Sequence, residues 1–335
     1  MKNRKYIPED IESYNKLKVK PLLFVRGLTK KYKGRRFPAI TKLDFDVYPG
    51  EFHAFIGANG AGKTTTFKSL IGAYNNWDGT ILINGKNNNT EDAKRKLGYI
   101  PENARFPSKF TTLEYLIAMT RLSGRTKEES ITIATSKLKE LKLWELRNKS
   151  PNTFSSGQKK KVLLAQALIH DPDVILMDEP VANLDPTARA EFYETLLKLK
   201  KQGKALFLSS HVLAELDKYF DSITILDGGK VIYTGKRDTI IKEFMNDQYT
   251  LKFSAQQKLI KYLNDKKIKF TEDSNKGLVA SFKKTTDITD LISKLAAQHV
   301  YPEYISKSTP DLDRIYASKI IKGSVDQIEQ KENKN

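Results

Sequence analysis

The sequence predicts an α/β fold built on a parallel sheet, followed by a smaller α+β domain. A glycine-rich loop at residues 57–64 lies between a strand pattern and a helix pattern. A short apolar run at 174–177 ends in two carboxylates, which is typical of a strand buried on both faces of a parallel sheet. From about residue 237 the order becomes strand, helix, two strands, helix, strand, which predicts a ferredoxin-like split βαβ domain.

Composition and periodicity divide the chain into four stretches. Residues 1–21 are polar, carry mixed charge and show no clear period, which predicts a weakly ordered extension. Residues 22–236 alternate strand and helix patterns, with an insert at about 104–155 that reads as helical throughout. Residues 237–322 form the second domain, which ends in a helix expected over 312–321. The polar tail at 323–335 is predicted to be disordered.

The glycine-rich loop fits the pattern Gly-x4-Gly-Lys-Ser/Thr of a phosphate-binding loop. The strand Phe52–Ile56 precedes it and a helix from Thr65 to Ala73 follows, so backbone N–H groups would surround a phosphate at a helix N-terminus. An accidental glycine-rich turn is the alternative, and the strand–loop–helix context disfavours it. The residues expected to bind the nucleotide here are Gly57, Ala58, Asn59, Gly60, Ala61, Gly62, Lys63, Thr64 and Thr65.

Two side chains of this loop carry specific chemistry. Lys63 would reach the β- and γ-phosphates of a nucleotide, and the Thr64 hydroxyl would hold Mg²⁺. The loop itself contains no carboxylate for the metal or for water. Asp178 and Glu179 would supply these carboxylates, because they follow the apolar strand Val174–Met177, whose carboxyl end lies at the ligand-binding edge of an open sheet. Asp178 is expected to accept Mg²⁺ or its water, and Glu179 to address the attacking water. Two solvated acids at a strand end are the alternative.

Further motifs follow the phosphate loop in a fixed order. They are Phe154-Ser155-Ser156-Gly157-Gln158, Leu176-Met177-Asp178-Glu179-Pro180, Ala182-Asn183-Leu184-Asp185-Pro186 and Leu208-Ser209-Ser210-His211. Each is weak alone, but their order resembles the ATP-binding cassette of ABC transporters over roughly residues 22–236. The resemblance implies a P-loop NTPase cassette, with residues 104–155 as its helical subdomain.

The resemblance also assigns a role to Tyr32 and to Glu102. Tyr32 stands where the family places an aromatic ring that stacks on adenine, although an exposed tyrosine at a strand end is the alternative. Glu102 stands where many members have a glutamine that senses Mg²⁺ and contacts the membrane partner. This is a departure, because glutamate can bind a hard cation through oxygen but adds a charge.

Residues 154–158 are similar to the family's signature loop Leu-Ser-Gly-Gly-Gln, with Phe154 in place of the leucine and Ser156 in place of the first glycine. The resemblance implies that this loop acts in trans and caps ATP bound by a second cassette, through Ser155, Ser156, Gly157 and Gln158. Asp185 matches the loop that crosses the dimer interface. His211 matches the switch histidine that contacts the γ-phosphate, and with Glu179 and Lys63 it completes the implied catalytic set.

The implied function is that of an ATPase subunit of an ABC transporter, with ATP and Mg²⁺ as cofactors. Its implied partners are a second cassette, identical or different, and a separate polytopic membrane permease, which places it at the cytoplasmic face of the membrane. The C-terminal domain and the segment Gly98–Glu102 look like those of ABC-2-type exporters, which favours export. The C-terminal domain is expected to serve in regulation, dimer contact or partner choice.

Composition sets limits on other functions. The net charge is +18, but lysine is spread over the whole chain, so a generally lysine-rich composition is the first explanation for this charge. Contact with anionic lipid is compatible with it, and no nucleic acid is expected as a target. The chain has no cysteine and no long apolar run.

Two alternatives stay open: a soluble ABC ATPase acting on ribosomes or DNA, and a catalytically silent scaffold. The second is disfavoured because Lys63, Asp178, Glu179 and His211 are all present.

Overall fold

The computed structural model describes residues 6–103, 105–210, 216, 218–244, 247–273, 277–282 and 285–307. The chain divides into two compact units between Lys236 and Arg237. The helix expected over 312–321 and the tail at 323–335 lie outside the described residues. Within the described ranges, no helix combines the length and the apolar character that a membrane crossing requires.

The elements are numbered in chain order. The α-helices of the described residues are α1 (Pro8–Lys16), α2 (Lys63–Leu70), α3 (Glu91–Arg95), α4 (Thr112–Leu122), α5 (Lys127–Glu140), α6 (Ser156–Leu168), α7 (Pro186–Lys201), α8 (Arg237–Phe244), α9 (Gln256–Asp265) and α10 (Thr285–Ala296). The strands are β1 (Leu23–Lys30), β2 (Ile40–Val47), β3 (Phe52–Ile56), β4 (Asp78–Ile83), β5 (Lys86–Asn87), β6 (Leu97–Ile100), β7 (Val174–Met177), β8 (Ala205–Ser210), β9 (Ser222–Asp227), β10 (Lys230–Lys236), β11 (Asp247–Phe253), β12 (Phe270–Asp273), β13 (Gly277–Phe282) and β14 (Pro302–Lys307).

The first unit contains two sheets. The larger has the order β10-β9-β3-β8-β7-β6, in which β9, β3, β8, β7 and β6 pair in parallel and β10 is an antiparallel edge. The smaller, antiparallel sheet has the order β2-β1-β4-β5. Because carboxyl ends of parallel strands meet at one edge, the residues that follow β3 and β7 come together there, beside the end of β8. This edge carries the glycine-rich loop and the two acids.

The helix after the glycine-rich loop differs in its bounds from the sequence prediction, and a second helix of this unit begins at a side-chain cap. The helix after the loop begins at Lys63 and ends at Leu70, so it starts two residues before the expected Thr65. Helix α6 begins at Ser156, because Ser155 caps it. The Ser155 hydroxyl accepts the Gln158 N–H at 3.3 Å, and the Gln158 side chain accepts the Ser155 N–H at 3.1 Å, which is a capping box.

The expectation of a weakly ordered N-terminal extension is wrong for residues 8–16, which form α1. Tyr14 of this helix is buried, and its ring packs edge-on against Phe24 with 5.3 Å between centroids. The Thr80 hydroxyl donates to Asp10 at 2.7 Å and ties the start of the helix to β4. The polar composition concealed this helix because a single aromatic residue makes most of its buried contact.

The second unit has the element order β11-α9-β12-β13-α10-β14 and an antiparallel sheet ordered β12-β13-β11-β14. Strand β13 alternates buried and partly buried residues, which is the pattern of a sheet with one covered face. Helices α9 and α10 and strands β11 and β13 supply the buried leucines of this core. The core includes Leu251, Leu259, Leu263, Leu278, Leu291 and Leu295.

The core of the first unit contains a cluster of aromatic rings that packs against the buried side chain of His53. The rings of Phe45 and Phe207 stack at 5.2 Å between centroids, and His53 lies 5.4 Å from Phe207. The two ring nitrogens of His53 are hydrogen-bonded to the Ser222 hydroxyl at 2.7 Å and to the Thr224 hydroxyl at 2.8 Å. Burial lowers the pKa of His53 to about 3, so the ring is neutral in the folded protein at neutral pH.

Acid should therefore destabilise the fold through His53. In the unfolded chain this histidine binds a proton below about pH 6.5, while the folded protein resists protonation until about pH 3, so stability is lost as the pH falls through that window. Moving from pH 7 to pH 5 should cost about 2 kcal/mol through this residue. The measurement is urea unfolding at both pH values. In a His53→Gln variant the loss between the two should be smaller by that amount, and an equal loss would contradict the role of His53.

Candidate nucleotide site

The glycine-rich loop is shaped by close backbone contacts. Gly62 is the N-cap of α2 and has φ +110°, a conformation that side chains other than glycine rarely adopt. A Cβ atom at Gly62 would lie 2.5 Å from Ile40 Cγ2, and one at Gly57 would lie 2.6 Å from the Leu226 carbonyl oxygen. No side chain accepts a capping hydrogen bond from the first backbone N–H groups of α2. That is the arrangement that an anion bound at a helix N-terminus requires.

A cavity of about 280 Å³ opens at this helix end. It brings together most of the loop predicted from sequence with the glutamates that follow β6 and β7. Its lining is Ala58, Asn59, Gly60, Gly62, Lys63, Thr64, Thr65, Glu102, Glu179 and Ala182. Gly57 and Ala61 belong to the loop but not to the lining, because both pack inward. The other seven residues predicted to bind the nucleotide therefore face a common space with Glu179.

Lys63 lines the cavity and is almost fully buried. Its ammonium donates to the carbonyl oxygens of Gly57 at 2.7 Å and Ala58 at 3.3 Å, and it lies 3.4 Å from Glu179 Oε1. Glu179 adopts φ +46°, a left-handed conformation that is strained for a residue with a side chain. The strain and the buried ion pair are both concentrated at the residue expected to activate water.

Asp178 is held by the neighbouring strand. The Ser209 hydroxyl of β8 donates to Asp178 Oδ1 at 2.7 Å and accepts the Glu179 N–H at 2.8 Å, so one serine fixes both acids. Asp178 is 2% exposed and does not line the cavity, whereas Thr64 and Glu102 do. Across the described residues, histidines, cysteines and acids form no group of three that could hold a metal. A Mg²⁺ ion here would therefore need the Thr64 hydroxyl and phosphate oxygens beside the carboxylates, and these oxygen donors fit a hard cation.

Sequence reasoning missed Lys160, which reaches this site from α6. Its ammonium donates to the carbonyl oxygens of Glu102 at 2.6 Å and Pro101 at 3.1 Å. Burial lowers the pKa of Lys160 to about 8, although the charges of Glu102, Asp178 and Glu179 oppose the effect. In the sequence it stands within a run of three lysines, which is usually a solvated face, so no local signal distinguished it.

Tyr32 lies beside the first turn of α2. Its hydroxyl is 3.0 Å from Thr65 Oγ1 and 3.2 Å from the Tyr74 hydroxyl oxygen. Partial burial of the Tyr32 phenol opposes its ionisation, but these hydrogen bonds and the charges of two nearby lysines outweigh burial and lower the pKa of Tyr32. Sequence reasoning selected Tyr32 and missed Tyr74, which only the fold brings beside it.

The residues resembling the signature loop lie outside this cavity. Ser155 caps α6, and the Ser156 hydroxyl donates to the Asn183 carbonyl oxygen at 2.9 Å. A Cβ at Gly157 would lie 3.0 Å from Ala188 Cβ, so glycine allows α6 and α7 to approach. Asp185 caps α7 by accepting the Ala188 N–H at 2.9 Å. His211 lies outside the described residues.

Comparisons with known proteins agree with this geometry. The ABC transporter family matches residues 40–182. The chain is 44% identical over 256 residues to a protein of Mycoplasma pneumoniae described as an ABC transporter ATP-binding protein, covering 76% of this chain and 78% of that one. It is 34% identical over 245 residues to the uncharacterized ABC transporter ATP-binding protein YxlF of Bacillus subtilis, covering 73% of this chain and 80% of that one. A solved ATP-binding subunit of an ABC transporter superposes with a TM-score of 0.60 at 34% identity, covering 67% of this chain and 93% of that chain.

The parallel sheet with its glycine loop, Lys63 and strand-end acids defines an ATP-binding cassette of the P-loop class. With the relatives, it follows that the chain belongs to the ABC transporter family as an ATP-binding subunit. ATP hydrolysis is the general activity of cassettes in this family.

Replacing Lys63 by alanine should weaken ATP binding by about tenfold or more, because a charge-assisted contact to phosphate is lost. Turnover should be lost with it. Nucleotide titration and phosphate release measure the two effects. Lys161→Ala is the matched control, because Lys161 pairs with Glu191 on the surface at 2.7 Å and lies outside the cavity. Unchanged affinity and turnover in the Lys63 variant would refute the assignment.

Proposed function

We propose that this chain is the ATP-hydrolysing subunit of an exporter and that Mg²⁺ assists the reaction. The observation that carries the proposal is the Lys63–Glu179 pair, buried in the cavity at the N-terminus of α2. Phosphoryl transfer asks mainly for positioning and charge neutralisation. Lys63 would exchange its loop carbonyls and Glu179 for the β- and γ-phosphate oxygens. Glu179, released from the ammonium, would then accept hydrogen bonds from the attacking water.

Other residues complete the proposed chemistry. Bound Mg²⁺ would neutralise charge on the β- and γ-phosphate oxygens. Thr64, Asp178 and Glu102 would hold it, with Ser209 fixing the Asp178 carboxylate and Lys160 fixing the backbone at Glu102. His211 would contact the γ-phosphate, as the motif order suggests. Tyr32 would stack on adenine.

A second cassette would complete each site. Ser155, Ser156, Gly157 and Gln158 lie outside the cavity of their own chain, which supports a role in trans. The Ser155 oxygen already accepts an N–H from its own helix, but its hydroxyl proton can still donate to a phosphate. Two chains arranged head to tail would then close over two ATP and open after hydrolysis. Asp185, at the start of α7, would lie at the same interface.

The membrane partner is proposed to be a polytopic permease, with this chain at the cytoplasmic face of the membrane. The described residues hold no helix suited to spanning a bilayer, so a separate chain would form the pore. A second cavity of about 520 Å³ supports a docking site on the helical insert, since it lies beside α4 and exposes apolar atoms. Its lining includes Leu97, Met119, Leu122 and Ile169.

Glu179→Gln should retain ATP binding but lose turnover by about 100-fold or more, the range that a positioned general base supplies. Because ATP then persists, the variant should accumulate as a dimer in ATP and stay monomeric in ADP. Phosphate release and light scattering after size exclusion measure the two effects. Glu191→Gln, an exposed glutamate on α7, is the matched control. Wild-type turnover in Glu179→Gln would refute the catalytic role, and a monomeric mass in ATP would contradict the ATP-driven dimer.

The direction of transport is proposed to be export of a hydrophobic, lipid-like or peptide substrate. The support is the second unit with its βαββαβ order and the segment Gly98–Glu102, both similar to those of ABC-2-type exporters. Inside-out vesicles holding this chain and its permease should accumulate substrate in the lumen when ATP is added. ATP-dependent loss of substrate preloaded into the lumen would mean import and would overturn the proposal.

A further inference from the structure

Tyr32 and Tyr74 form an aromatic pair next to the phosphate loop. Their rings meet edge to face, with 5.7 Å between centroids and 89° between planes. The two hydroxyl oxygens are 3.2 Å apart. The pair is built from two separate segments, since Tyr32 follows β1 and Tyr74 follows α2. A ring fixed by both an edge-to-face contact and a hydroxyl bond has little freedom to rotate.

The ammonium of the buried Lys30 lies over both rings. Lys30 is 2% exposed, and its ammonium lies 4.8 Å from the centre of the Tyr74 ring and 5.3 Å from that of Tyr32. The same ammonium donates to the Asn76 carbonyl oxygen at 2.9 Å and to the Asn76 side chain. These bonds fix the segment that carries Tyr74 against β1. Cation–π attraction from one immobile charge then holds the two rings in one arrangement.

The pair is also connected to the phosphate cavity. The Tyr32 hydroxyl lies 3.0 Å from Thr65 Oγ1, and Thr65 lines the cavity together with Lys63 and Thr64. The Tyr32 ring is therefore held at a set distance from the phosphate-binding groups, with Tyr74 on one side of its hydroxyl and Thr65 on the other. Stacking on a base while the phosphates are bound depends on such a fixed distance.

We propose that Tyr74 is a positioning residue for the nucleobase: it holds the Tyr32 ring where the adenine of a bound nucleotide stacks, and so contributes affinity that depends on the base and not on the phosphates. This inference rests on the proposed function, in which Tyr32 is the stacking residue. Tyr74 need not touch the nucleotide. Lys30 supports both rings.

The test compares ADP with inorganic pyrophosphate, which share phosphates but not the base and are not hydrolysed here. In Tyr74→Phe the ring remains and one hydroxyl is lost, so the affinity for ADP should fall about two- to tenfold, the range of one hydrogen bond. The affinity for pyrophosphate should not change. Calorimetric titration with Mg²⁺ measures both. In ATP turnover, KM should rise while kcat stays constant.

Three further variants separate the outcomes. Tyr32→Phe removes the same bond from its other end, together with the contact to Thr65. Because the bond to Tyr74 is counted in both single variants, the Tyr32→Phe, Tyr74→Phe double variant should lose less ADP affinity than the two single losses combined. Tyr32→Ala tests whether the Tyr32 ring stacks on the base at all. If this variant binds ADP with normal affinity, the stacking role of Tyr32 is refuted, and the inference about Tyr74 is refuted with it. If Tyr32→Ala weakens ADP but Tyr74→Phe does not, only the inference about Tyr74 is overturned. An equal loss for pyrophosphate in Tyr74→Phe would also overturn it, because the role would then be general support of the loop. Tyr48→Phe, on a tyrosine outside this pair, is the control.

Discussion

The buried contact between Lys63 and Glu179 is the interaction on which the site depends. Two charges removed from water are costly unless each has further partners. Lys63 has them in the carbonyl oxygens of the loop, and the backbone of Glu179 is fixed by Ser209. A γ-phosphate brings a stronger and closer anion for the lysine, which explains how nucleotide binding would free the carboxylate for water.

The geometry of that contact imposes demands on the rest of the unit. The parallel order of β3, β7 and β8 places the loop, the two acids and Ser209 at one edge. Gly62 is required because its φ of +110° and its approach to Ile40 leave no room for a side chain. The aromatic core around Phe207 keeps the sheets packed behind this edge. Function at the edge therefore depends on packing that never touches the nucleotide.

Local signals predicted much of this from sequence, and tertiary contacts account for the rest. The glycine loop, the buried run before Asp178 and the strand Phe52–Ile56 are encoded within a few neighbouring residues, so they could be read directly. Helix α1 was missed because its contacts lie outside the helix, where Tyr14 packs on Phe24 of β1 and Asp10 accepts from Thr80 of β4. Lys160 and Tyr74 were missed for the same reason, since each gains its role from residues about 40 to 60 positions away. The fold could thus be predicted more fully than the side chains, such as Lys160 and Tyr74, that support the site.

A crystal structure of the chain with Mg²⁺ and a non-hydrolysable ATP analogue tests the central claim most directly. The distance between Lys63 Nζ and Glu179 Oε1, 3.4 Å in this structure, is the quantity to measure. We expect it to lengthen beyond hydrogen-bond range, with the ammonium on the β- and γ-phosphate oxygens and a water on Glu179. An ammonium that stays on Glu179 while the analogue is bound would contradict the mechanism.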